Sequence, residues 1–63
     1  MTDTFTAAEK QACIKREVDY RRFVYARRVA DGRMKQEEAT RQIGLMEAIY
    51  SDYEALAAKE RLL

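Results

Sequence analysis

Asp31-Gly32-Arg33-Met34 is the strongest punctuation in this 63-residue chain, and it separates two long stretches with helical periodicity. Glycine leaves a helix at the least cost because, without a Cβ, it enters the left-handed region freely. The chain has no proline, and its only other glycine is Gly44. The spacing therefore predicts an all-α fold, an antiparallel two-helix hairpin of coiled-coil type. Helix 1 is expected over about 6–31, the turn over 32–35 and helix 2 over about 36–61. Residues 1–5 read as a frayed tail, and 6–63 as one helical-hairpin domain.

Working outward, Thr6-Ala7-Ala8-Glu9 has the form of a capping box, with the Thr hydroxyl and the Glu carboxylate each able to satisfy the other's backbone N–H. An apolar stripe follows at helical spacing through Ala7, Ile14, Val18, Tyr25 and Val29. Beyond the turn no Ser, Thr, Asp or Asn stands at the obvious N-cap, but Glu37 and Glu38 fall where the helix dipole favours carboxylates. The second stripe is cleaner: Ala39, Ile43, Met46, Tyr50, Tyr53 and Ala57 alternate steps of four and three, a heptad seam. A short turn makes the helices antiparallel and opposes Val29 to Ala39, Tyr25 to Ile43, Val18 to Met46 or Tyr50, and Ile14 to Tyr53.

That seam leaves apolar residues over. Ile49 and Leu56 widen it on one side of helix 2, and helix 1 carries a second set at Cys13, Tyr20 and Val24, with Phe23 further round. Two helices cannot cover both sets. A chain of about 60 residues also buries only roughly 60% of its unfolded surface. The expectation is a homodimer packed as a four-helix bundle, its core and dimer seam formed by Ile14, Val18, Val24, Tyr25, Ile43, Met46, Ile49, Tyr50, Tyr53 and Leu56.

Composition excludes several function classes. With a lone Cys13 and no histidine, an internal disulfide and the usual zinc sites are out of reach, and Cys13 reads as a small apolar filler. No apolar run approaches the roughly 18 residues of a membrane span, and no signal-peptide core opens the chain. A soluble cytoplasmic protein is expected, with no cofactor, no metal and no small-molecule substrate. The net charge of +1 conceals a polarity. From Lys15 to Lys35 eight basic residues meet three acids, whereas Gln36 to Leu63 holds six acids and three bases. Helix 1 and the turn are basic; helix 2 is acidic.

The pairs Arg21-Arg22 and Arg27-Arg28 are the sharpest chemical feature. They either dock on phosphates or an acidic protein surface, or pair with the acidic second helix, which is the plainer reading. Tyr25, Tyr50 and Tyr53 sit on or beside the core stripes, where the ring packs and the hydroxyl reaches the rim. Tyr20 and Phe23 lie off the seam and are the aromatic candidates for an interface. Glu47, Asp52 and Glu54 read as a solvated face, because a catalytic carboxylate needs a desolvated cleft with a positioned partner. A helix-turn-helix DNA reader is rejected, since that motif needs shorter, steeply crossing helices in a three-helix core.

The blocks Arg21-Arg22-Phe23-Val24-Tyr25-Ala26-Arg27, Gly32-Arg33-Met34 and Met46-Glu47-Ala48-Ile49, followed by Asp52-Tyr53, resemble a family of very small, mostly uncharacterised helical proteins of phages and prophages. The similarity spans about 15–53, or about 60% of the chain. Three positions depart from it. Ala26 stands where such proteins often carry Pro, Lys35 replaces a Thr-like cap, and Gln42 replaces an acid. A looser likeness, confined to the turn and helix 2, is to oligomerisation modules of the SHOCT type.

The resemblance implies a non-enzymatic protein in the cytoplasm of a bacterial host cell. Such a protein would bind a host protein and inhibit it, in host takeover or against antiviral defence. The residues expected to carry recognition are Tyr20, Arg21, Arg22, Phe23, Arg27 and Arg28. The alternatives are a nucleic-acid-associated protein that lays the basic band of a dimer on phosphates, and a purely structural oligomerisation module. A nearly neutral chain weighs against the first of these, because dedicated nucleic-acid binders are strongly basic.

Overall fold

A computed structural model of the chain describes residues 4–62. Two helices, α1 (Ala7–Ala30) and α2 (Gln36–Leu62), pack against each other along their length as an antiparallel hairpin. Among the described residues there is no strand. The molecule is a rod with extents of 47 × 20 × 18 Å. The reading of 1–5 as a tail falls, for residues 1–3, outside the described residues; Thr4 and Phe5 precede the helix without joining it.

Each end of α1 stops for a local reason. At its start Thr6 is extended and its hydroxyl accepts from the Glu9 N–H at 3.0 Å, while the Glu9 carboxylate accepts from the Thr6 N–H at 3.2 Å. At its end Gly32 takes φ +74°. The Gly32 N–H donates to the Val29 carbonyl at 3.1 Å and the Arg33 N–H to the Arg28 carbonyl at 2.8 Å. These two bonds form a Schellman close, which satisfies carbonyls that a helix end otherwise leaves orphaned and turns the chain back. The open end of the hairpin is tied differently, through a side chain. The Glu60 carboxylate, near the end of α2, accepts from the Ala7 N–H at 3.0 Å, placing negative charge at the positive pole of α1.

The seam follows the heptad positions. Ala39 and Ala57 on α2 and Ala7 and Val18 on α1 are buried, with Ala57 only 1% exposed. Ile14, Tyr25, Val29, Ile43, Met46, Tyr50 and Tyr53 are half-buried between them, whereas Val24, also expected in the seam, is half-buried but turned about 120° from Val18, toward one flank. Small residues at the contact line let the two backbones approach closely. The register also decides hydroxyl partners, since Tyr50 accepts from the Gln11 amide at 3.3 Å across the pair.

Ile49, 39% exposed, and Leu56, 49% exposed, lie outside the contact between α1 and α2, on the side where they widen the helix 2 stripe. Cys13, expected as a filler, is exposed too. The reason is angular. At about 100° per residue, Ile49 and Leu56 sit roughly 80–100° from the line of Ala39 and Ala57, too far to reach α1. The whole chain, drawn out as a rod, exposes 5271 Å². A compact chain of its 7.4 kDa mass presents about 4,200 Å².

Candidate functional site

The rod has four long faces, and the candidate residues divide among three of them. One face lies on the far side of α1 from α2. At about 100° per residue, Arg16, Tyr20, Phe23 and Arg27 all project within about 40° of the direction opposite the buried Val18, and all four are exposed. Tyr20 is 65% and Phe23 62% exposed, which for aromatic rings on a folded helix is a large unpartnered area. The Arg27 guanidinium lies 5.8 Å from the Phe23 ring centroid, within range of a cation–π contact.

A second face is one flank of the hairpin, where charges close over the seam. Arg22 pairs with Glu47 across the two helices. Beside it Lys15 pairs with Asp19 at 3.2 Å, and Val18 and Tyr50 lie beneath them. Arg22 thus takes the plainer of its two readings, pairing with the acidic helix within the hairpin.

The third face is the opposite flank, where apolar side chains of both helices gather beside Lys10 and the Arg21–Glu17 pair. Cys13 and Val24 of α1 and Leu45, Ile49 and Leu56 of α2 turn toward it. Lys10 marks the side: its ammonium lies 5.8 Å over the Tyr53 ring. One groove on this side runs between Lys10, Cys13, Ile14 and Tyr53, and another between Lys10, Tyr53, Leu56 and Glu60, with Phe5 at the edge of both. Arg21 and Arg28 stand at its margin. Arg21 donates to the Tyr25 hydroxyl and to Glu17, each at 3.3 Å. The hydrogen bond to Tyr25, reinforced by the charge of Glu17, raises the Arg21 pKa above its ordinary value. The Arg28 guanidinium lies 5.8 Å over the Tyr25 ring.

Of the six residues expected to carry recognition, the fold therefore groups Tyr20, Phe23 and Arg27 on one face and sets the others apart. Arg21 and Arg28 border the apolar flank, and Arg22 is engaged on the charged one. Arg16 joins the outer face, and its signal was present in the sequence, since it precedes Phe23 by seven residues and Arg27 by eleven. Leu45 joins the apolar flank on the same grounds, four residues before Ile49 and eleven before Leu56.

No helix is long and apolar enough to cross a membrane, and no group of three or more His, Cys, Asp or Glu side chains gathers among the described residues. Compared with models of protein families, with curated proteins and with solved structures, the chain matches none.

Proposed function

We propose that this chain is a small non-enzymatic binding protein of phage type. In this reading it acts in the bacterial cytoplasm as a dimer, a four-helix bundle, and docks on an acidic site of a host protein, which it inhibits. The observation that carries the reading is the outer face of α1, where Tyr20 and Phe23 are exposed beside Arg16 and Arg27. Aromatic residues and arginine are the side chains that most often anchor protein interfaces, the aromatics because they cover a large area with little loss of conformational freedom and arginine because its planar guanidinium makes several hydrogen bonds at once. Two aromatic anchors flanked by two guanidiniums suit a partner with an apolar pocket ringed by carboxylates.

Phosphate recognition is the weaker reading on the same geometry. A backbone tracker needs a continuous basic stripe, whereas Arg21, Arg22 and Lys15 are each held by a carboxylate of the hairpin itself.

The test is capture from bacterial lysate by the tagged protein, with and without nuclease, beside a Phe23→Ala/Arg27→Glu variant of unchanged helicity. The proposal expects one protein partner that survives nuclease and is lost with the variant. Recovery that vanishes with nuclease would transfer the outer face to nucleic acid. Capture by the variant equal to that by the parent would overturn the assignment of the face.

A further inference from the structure

We infer that the apolar flank is the self-association surface, and that two hairpins meet there with their turns at the same end, α1 of each copy lying on α2 of the other. The inference rests on the dimeric part of the proposed function and goes beyond it by fixing the face and the orientation.

The face follows from surface and chemistry. The rod shape leaves the whole chain with about 1,000 Å² more accessible surface than a compact chain of this mass, spread over all its faces, and a standard interface takes roughly 800 Å² from each partner. Of the three faces described, only this flank gathers aliphatic side chains from both helices. Ile49, Leu56 and Leu45 come from α2, beside Val24 and Cys13 from α1. The charged flank is closed by Arg22 and Glu47.

The orientation follows from charge. Two copies meeting face to face have only two two-fold arrangements. An axis parallel to the helices lays α1 on α2 of the other copy, with both turns at one end. An axis across the helices lays α1 on α1 and α2 on α2, with the turns at opposite ends. Over Ala7–Ala30, α1 carries seven bases and three acids; over Gln36–Leu62, α2 carries three bases and six acids. The first arrangement sets +4 against −3 at both contacts. The second sets like against like at both, which costs free energy and disfavours that register.

In the first arrangement the register between copies repeats the register within one. On the register that sets Val29 against Ala39, Arg28 of one copy comes level with Thr40 of the other, and Glu38 lies two residues away, about 3 Å along the axis and within reach of the Arg28 side chain. Arg28 and Glu38 are both exposed and lie on this flank. The arrangement also points the two Phe23–Arg27 faces to opposite sides of the bundle, so the dimer presents two docking faces outward.

Two measurements test this on the full-length chain. In the first, a nitroxide is placed at Arg33→Cys in a Cys13→Ser background and the distance between labels is read by pulsed electron paramagnetic resonance. Turns at one end, with neighbouring helix axes about 8–10 Å apart, put the labels within about 25 Å of each other. Turns at opposite ends separate them by about 40 Å or more, given helices of 24 and 27 residues. The longer distance overturns the orientation while leaving a dimer in place. A monomeric parent at every concentration overturns both the inference and the dimeric part of the proposed function.

The second measurement mixes variants. Arg28→Glu and Glu38→Arg are each expected to weaken self-association by about tenfold, and mixing the two should restore it in a heterodimer. Only pairing between copies gives that recovery, because each chain still carries like charges at 28 and 38. Variants that weaken singly and do not recover on mixing would overturn the orientation.

Discussion

The two flanks of this hairpin are built from the same pair of helices and the same register, yet they are finished in different ways. On one, Arg22 and Glu47 close the gap between α1 and α2, and Lys15 with Asp19 continues the charged cover. On the other, Ile49 and Leu56 stand exposed beside Cys13 and Val24. A flank capped by ion pairs is complete in water, and exposed pairs of this kind contribute only about 0.2–1 kcal/mol. A flank of aliphatic side chains is complete only when covered, and the return on covering it is larger, about 1.5–3 kcal/mol for each large residue fully buried. In the proposed dimer, stability and association fall to opposite sides of one small rod.

The largest effect that could break this contrast is on the apolar side. Replacing Ile49 and Leu56 together by Asp is expected to cost association about 4 kcal/mol or more, roughly a thousandfold in the dimer dissociation constant read by sedimentation. Unchanged association would remove the apolar flank from the account. A smaller loss comes from the turn, which sets the register for both flanks. Gly32 stands at φ +74°, so Gly32→Ala should cost about 1–2 kcal/mol, lowering the thermal midpoint by several degrees. The loss should fall on folding, with little change in association below the transition.

In the opposite direction, Gly44 lies within α2 where an added Cβ would meet nothing within 4 Å. Gly44→Ala should therefore stabilise by about 0.5–1 kcal/mol without altering the dimer, checked by thermal melts at several concentrations. The smallest expected effect is on the charged side. Arg22→Ala should lower the melting free energy by no more than about 1 kcal/mol and leave association unchanged. A Glu47→Lys/Arg22→Glu exchange should return the parental stability. A large effect of Arg22→Ala on self-association would reverse the roles of the flanks.

Much of the fold was legible before any coordinates. The helix ends follow from Thr6-Ala7-Ala8-Glu9 and from Gly32, because capping is a local matter of one or two side chains. The seam from Ala39 to Ala57 follows from heptad spacing alone. What sequence could not rank was burial. Ile49 and Leu56 read as widening the seam beside Tyr53, and the fold separates them because about 40–60° around the helix decides whether a side chain reaches its neighbour. Partner choice among the arginines was hidden for a related reason. Arg21 and Arg22 are adjacent in sequence, yet one turns to Glu17 on its own helix and the other to Glu47 across the hairpin. The grouping of Arg16 with Phe23 and Arg27 was readable from spacing, and Leu45 likewise with Ile49.

The central claim is that the charged flank completes the hairpin while the apolar flank joins two of them. Sedimentation equilibrium of the parent chain and of the Ile49→Asp/Leu56→Asp variant, with helicity followed on the same samples, addresses it directly. The account predicts a parent of about twice 7.4 kDa and a variant of half that mass at equal concentration. A parent that stays monomeric and fully helical throughout would show that the apolar flank needs no second copy, and would contradict the account.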